Sequence, residues 1–318
     1  SRCVRNWRYA LKKPELDARL VGRWEIMVQQ HVRGAQALAA GIAALPDTRS
    51  SAAYTQAAWR FLNNDRVGLS ALAKPLLSAV PELLDAHCEC YGLVMHDWSR
   101  LNFGKHTSKT DRLKMTHKTD VGYELQSSVL VSDASGKPLV PVVHNVVNDT
   151  QVYSTMHARA RAHQNHLDEL SERIGWLEAR GWDKPLVHIV DREGDSVAHW
   201  RAWSAQGSQF LVRAKDDPQV CFEGMPVKPK QLAERLTYQR VGEVLYHGRT
   251  AHQTIAQAKV LITRTAKPKR AIEGKRVAPV AGKPLALRLV VSRICDAQGL
   301  VLAQWLLLTN VSDEVDAV

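Results

Sequence analysis

The sequence is short of what several protein classes require. Five cysteines in 318 residues are too few for a disulfide framework, and Cys3, Cys221 and Cys295 stand alone. His87-Cys88-Glu89-Cys90 has the look of half a zinc site, but no second Cys or His pair follows at a zinc-finger spacing. Reduced cysteines in a cytosolic protein are the plainer reading. No run approaches the roughly 18 apolar residues of a membrane span; the best, Leu300 to Leu308, is interrupted by Gln304. A Gly-x-x-x-x-Gly-Lys-Ser/Thr phosphate loop is missing, so ATP-driven chemistry has no support. The first residues, Ser1-Arg2-Cys3-Val4-Arg5, offer no apolar core or cleavage site, and no secretory signal is expected. Acidic residues are also scarce beside basic ones: 43 Lys and Arg face 32 Asp and Glu, a formal charge of +11. That surplus points to a polyanionic partner, nucleic acid first and an acidic membrane surface second.

What is present is globular. With 45% hydrophobic and 24% charged residues, disordered, collagenous and fibrous classes are excluded. The length suits about two domains of roughly 150 residues. Residues 14–86 read as helical: Glu25 to Leu45, Tyr54 to Leu62 and Leu69 to Val80 carry apolar positions three and four apart. Pro46-Asp47 and Asn63-Asn64-Asp65 punctuate them. Strands follow at Tyr91 to Asp97, Tyr123 to Val131 and Leu139 to Val147. Residues 155–180 read as one long helix, Pro185 to Val190 as a buried strand closed by Asp191, Ser196 to Ala205 as a helix and Phe210 to Val212 as a strand. The β-β-β-α-β-α-β order is that of a ribonuclease-H-like mixed sheet flanked by helices. Residues 215–294 form a β-strand-rich insertion, with short strands such as Gln257 to Ile262. Nine basic residues and one acid lie between Lys259 and Arg288. Two apolar strands, Leu285 to Ile294 and Leu300 to Thr309, close the chain.

Asp97 and Asp191 stand at the ends of two central strands. Carboxylates there suit Mg²⁺ or Mn²⁺, hard ions that prefer oxygen, and phosphodiester chemistry uses such ions to activate the attacking oxygen and steady the leaving one. Arg192, Glu193 and Asp195 crowd the second Asp, as partners of that acid or as surface ion pairs. His106 and His117 share a basic stretch with Lys105, Lys109, Arg112, Lys114 and Lys118, suited to phosphate contact or to plain solvation. Trp176, Trp182, Trp200 and Trp203 fall at helical positions and read as core.

Six motifs occur in order: Tyr54 to Val67 (YTQAAWRFLNNDRV), His96-Asp97-Trp98-Ser99, Gly122-Tyr-Glu-Leu125, Val190-Asp-Arg-Glu193, Phe210-Leu-Val-Arg-Ala-Lys215 and Trp305-Leu-Leu-Leu-Thr309. Together they resemble the cut-and-paste DDE transposases of bacterial insertion sequences, the IS-four group, over nearly the whole chain. The resemblance implies an α/β fold with a helical DNA-binding domain at 1–88. A ribonuclease-H-like (retroviral-integrase-like) catalytic domain at 89–318 follows, carrying the insertion. It implies an enzyme that binds terminal inverted repeats and target DNA as a homodimer, cleaves with Mg²⁺ or Mn²⁺ and transfers strands through a hairpin, in the bacterial cytoplasm at the nucleoid. By the same resemblance Asp97 and Asp191 are the first two catalytic, metal-binding carboxylates, and Arg213 and Lys215 contact DNA near the cleaved end. Trp305 stacks on a flipped base, and Arg60 contacts the terminal repeat. The family's third carboxylate, in a Tyr-Arg-Glu-Lys helix, finds no match before Val318; Glu314 lies too near Thr309. The chain is therefore expected to be a fragment with two of three ligands, able to bind DNA but inactive in cleavage. The alternative is a non-catalytic DNA-binding fragment or decayed element acting as an inhibitor. A two-carboxylate glycosidase is a third possibility, against which the basic surplus counts.

Overall fold

A computed structural model describes residues 12–34, 51–115, 119–266 and 281–312. The described residues form six helices and fourteen strands, an α/β fold built on a large mixed sheet. No described helix is long and apolar enough to cross a membrane.

The chain divides into two compact units. The first comprises Ser1–Ala86, Trp98–Ser128 and Leu139–His163, the second His87–Asp97, Val129–Pro138 and Gln164–Val318.

In the first unit, α1 (Ala18–Gly34) packs on α2 (Ser51–Leu62), burying Leu20, Val21, Ala58 and Phe61. Asp17 begins α1 by accepting from Leu20 N at 3.0 Å, a side-chain cap on an otherwise orphaned donor. The expected turn after α2 is present: Asn63 N bonds Trp59 O and Asn64 Oδ1 accepts from Arg66 N. A third helix, α3 (Leu69–His87), runs seven residues past the expected end at Val80. Expected helix beyond Gly34, to Leu45, and the Pro46-Asp47 turn lie outside the described residues. The strands here are the distal part of β1 (Gly92–Asn102), β2 (Leu113–Lys114), most of β3 (Val121–Ser132) and β4 (Pro138–Val147), then β5 (Gln151–Ser154) and β6 (Arg161–Ala162). Their order is β1-β3-β4-β5-β6, with β2 on β3. Gly122 fits because β1 passes so close: a Cβ there would stand 1.9 Å from Leu101 O.

Residues 155–165 are not helical, contrary to the sequence reading. Arg161 and Ala162 pair with β5, and Asn165 starts the helix late by accepting from Leu167 N and Asp168 N. The helix that forms, α4 (His166–Glu178), belongs to the second unit. There β7 (Leu186–Val190), a 3-10 turn (Arg192–Gly194), α5 (Val197–Ala205) and β8 (Gln209–Arg213) follow. The segment expected as an insertion holds β9 (Val220–Phe222), β10 (Met225–Val227), α6 (Pro229–Ala233), β11 (Gln239–Tyr246), β12 (Arg249–Ile262) and β13 (Leu285–Cys295). The last strand is β14 (Val301–Thr309). Order in this unit is β10-β9-β12-β13-β14-β8-β7-β1-β3, with β11 on β12. β1, β7 and β8 run parallel; β8, β14, β13 and β12 alternate antiparallel.

Parallel strands covered on a face read as apolar runs, and Leu186 to Val190 does. Beneath β8 the helices α4 and α5 lock together: Trp203 Nε1 donates to Ser171 Oγ at 2.9 Å and its ring meets Phe210 edge-on at 5.7 Å. Trp200 and Trp203 are fully buried, as expected from sequence. Trp176 and Trp182 are not core. Both are half-buried, and Arg180 lies over the Trp176 ring at 4.1 Å, a cation–π contact at the surface.

Candidate active site on the central strands

The register of three neighbouring strands builds the site. His96 pairs with Val190, Val190 with Val212, and Val212 with Leu308. These four side chains form one buried row, at 4%, 2%, 0% and 2% exposure. Side chains alternate along a strand, so the next residues present the opposite face. Those residues are Asp97, Asp191 and Arg213, and Arg213 pairs with Leu307. Both aspartates are exposed and Arg213 is half-buried. The ladder runs on past β8, with Ala214 N donating to Leu306 O at 2.8 Å. One step further the same register brings Lys215 level with Trp305. Leu306 and Leu308 are buried while Trp305 and Leu307 are only half-buried, so the indole faces away from those two leucines.

Five of the six residues singled out from sequence therefore lie on or just after adjoining strands: Asp191 and Lys215 just past β7 and β8, Arg213 closing β8, and Asp97 and Trp305 within β1 and β14; β1 runs on to Asn102, five residues past the end expected at Asp97. The sixth, Arg60, is exposed on the last turn of α2 in the other unit, next to Trp59 at 63% exposure.

Asp191 is tightly held. Its Oδ1 accepts from Glu193 N at 2.8 Å, and Gly194 N donates back to Asp191 O at 3.1 Å. Gly194 is buried against the strand; a Cβ would come within 2.6 Å of Val190 Cγ1. Trp200 Nε1 donates to Gly194 O at 2.9 Å. Asp195, its side chain 2% exposed, pairs with Arg264 at 2.7 Å, so it is a buried structural ion pair and not a surface bridge. Glu193 remains exposed, 4.0 Å from His166. The bond from Glu193 N to the Asp191 side chain uses Oδ1 alone.

A buried polar chain lies beneath this row, and sequence reasoning gave it no role. His96 Nε2 is 3.0 Å from His188 Nδ1, and His188 Nε2 is 3.1 Å from Glu178 Oε1. The two rings stack with centroids 5.2 Å apart. Burial first, then the charges of Arg173 and His188, hold the His96 pKa well below its ordinary value. Arg173 and Glu169 form a buried pair at 2.9 Å on α4. The signal was there to find: His188 is the lone polar residue of the apolar run Leu186 to Val190, and His96 immediately precedes Asp97.

Two carboxylates on neighbouring strands, Asp97 within β1 and Asp191 just after β7, are oxygen donors of the kind a hard divalent ion takes. Among the described residues no third His, Cys, Asp or Glu completes a cluster of metal-binding geometry. Cys88 is buried and Cys90 exposed, both as free thiols. Of the stretch expected to meet phosphate, Lys105 to Lys114 is described, whereas His117 and Lys118 lie outside the described residues, as do residues 267–280 of the basic insertion. No family model matches this chain, and no curated protein matches it.

Proposed function

We propose that this chain is a DDE-type DNA transposase with a ribonuclease-H-like core. It binds terminal repeats and target DNA, and its chemistry is metal-dependent strand cleavage and transfer. The observation that carries the reading is that Asp97, Asp191 and Arg213, 94 and 22 positions apart in sequence, each directly follow one of the paired residues His96, Val190 and Val212 of β1, β7 and β8. The strand order agrees with it: β1 lies between β3 and the parallel pair β7 and β8. Asp97 and Asp191 would hold Mg²⁺ or Mn²⁺, which when bound lowers the pKa of an attacking oxygen and offsets charge on the leaving one. Arg213 and Lys215, on the same strand end, hold the phosphates that flank the scissile bond. Trp305 offers its indole face to an unstacked base. The charge of +11 supplies the long-range attraction to DNA.

A second reading, DNA binding without cleavage, is favoured by the lack of a third acid at the row among the described residues. In-line phosphoryl transfer clamps the attacking and leaving oxygens together, and two carboxylates secure one of them.

Both readings are tested on the 318-residue chain with Mn²⁺, whose bound fraction is measured by electron paramagnetic resonance, and with supercoiled DNA. Bound Mn²⁺ that disappears in Asp97→Asn and in Asp191→Asn supports the row as a metal site. We expect DNA binding without nicking. Strong Mn²⁺-dependent nicking lost in Asp97→Asn would instead establish the enzyme reading outright, and a chain that binds no DNA would refute both.

A further inference from the structure

We infer that the loop from Phe103 to Lys114, in the first unit, is a preformed binding site for the DNA phosphate backbone. Its outer run, Gly104-Lys-His-Thr-Ser-Lys-Thr110, carries amines, hydroxyls and an imidazole but no apolar side chain. Those are the groups that meet phosphate oxygens. An acidic membrane surface is the poorer fit, because interfacial anchoring needs apolar groups beside the charges.

The loop is braced from behind. Arg112 spends its guanidinium on three carbonyls, reaching Lys109 O at 2.6 Å, Phe103 O at 2.9 Å and Gly104 O at 3.1 Å. Asp111, the loop's one acid, is turned to structural use: Tyr123 Oη donates to it at 2.6 Å and Asn148 Nδ2 at 3.1 Å. The Tyr123 bond first, then Asn148, hold its carboxyl below the usual range. Asn102 Oδ1 accepts from Gly104 N at 2.9 Å, and Phe103 N donates to Val121 O. Lys109 Nζ sits over the Phe103 ring at 5.4 Å and the Tyr123 ring at 5.9 Å. Lys105 and Lys114 are exposed, and Lys109, which attracts the Asp111 carboxylate, is half-buried. The loop backbone is thus held by bonds that involve none of the amines, and binding then costs less backbone ordering than in a flexible basic loop.

The test is fluorescence anisotropy on a duplex of arbitrary sequence across a salt series. Removing three phosphate contacts flattens the slope of log K against log salt by about 0.9 each, about 2.7 in all. Lys105→Gln, Lys109→Gln and Lys114→Gln combined should show a flattening of that order and at least a tenfold loss at the lower salt. Arg112→Met keeps the amines but removes the brace; it should weaken binding while leaving the slope near that of the parent. Circular dichroism melts of both variants confirm that they fold. An unchanged slope in the triple variant returns the loop to the solvated surface and overturns the inference. An arm with Arg213→Gln and Lys215→Gln separates this from the functional proposal: if that slope changes and the loop's does not, only the inference fails; if neither changes, the DNA reading fails as well. Capture of the parent by vesicles rich in anionic lipid, lost in the triple variant while DNA binding is unaffected, would also overturn it.

Discussion

Trp305→Ala separates a base-stacking indole from a core tryptophan. Trp305 pairs with Ser292 across the ladder, and the flanking Leu306 and Leu308 point into the core at 4% and 2% exposure. A half-buried indole on the opposite face should cost less stability than either neighbour, for which a Leu→Ala change removes about 2–5 kcal/mol. Stacking of one base on an aromatic side chain contributes about 1–3 kcal/mol, or about 5- to 150-fold in affinity. Two DNA probes read this directly: a duplex with one unpaired base and its fully paired counterpart. The variant should lose that factor on the first and change little on the second. Its urea midpoint should stay closer to the parent than that of Leu308→Ala. If Trp305→Ala unfolds as early as Leu308→Ala and binds both probes equally to the parent, the indole is a packing residue and the face assigned to it has no role in DNA.

Two further expectations concern the buried chain under the row. The folded state holds His96 neutral well below pH 6.5, while the unfolded chain takes up a proton there; stability must therefore fall as pH drops below about 6.5, by up to about 1.4 kcal/mol per pH unit until the folded pKa is reached. His96→Gln keeps an amide donor toward His188 without the titration, and urea unfolding between roughly pH 7.5 and 5 should show a shallower slope; identical slopes would refute the assignment. The Glu169–Arg173 pair, 7% and 0% exposed, should lose about 3–5 kcal/mol on Arg173→Leu, which strands a buried carboxylate. Glu169→Leu with Arg173→Leu should recover much of that in the same denaturation assay, and a double variant as weak as the sum of the singles would show the two not to be coupled.

Local pattern carried most of the second unit. Alternation and the apolar runs before Asp97 and Asp191 are properties of short segments, and so the two strands were legible, although β1 continues through Trp98 to Asn102, which local pattern did not assign to it. The nonlocal pairings were not. Leu307 meets Arg213, and Trp305 lies two residues before it, only because β14 pairs with β8 across the whole intervening insertion, and no feature of the Trp305 to Thr309 run specifies that partner. The failure at residues 155–165 has the same origin. Arg161 and Ala162 are taken up by β5, a tertiary claim that overrides the helical tendency of Met156 to Ala162. Trp176 and Trp182 misled for another reason: a large aromatic at a helical position is counted as core, but here Arg180 covers the Trp176 ring from solvent. Likewise, Asp195 looked like a surface charge in the acidic and basic cluster after Asp191, because its partner Arg264 is 69 residues distant.

Asp97 lies within β1, Arg213 closes β8 and Asp191 is the residue directly after β7, so all three are anchored by backbone hydrogen bonds of the innermost strands. Segments of this kind open only when the domain opens, whereas loop-borne sites fray first. The two acids and the cation thus share the thermodynamic fate of Val94, Phe210 and Leu289, all at 0% exposure. Such a site has no half-dismantled form at low cost: heat or denaturant takes it in one event with the core. The 83 residues between β1 and its parallel partner β7, which include the basic loop, could lengthen or shorten in surface turns without moving either acid, because the ladder, and not the path of the chain, sets their separation.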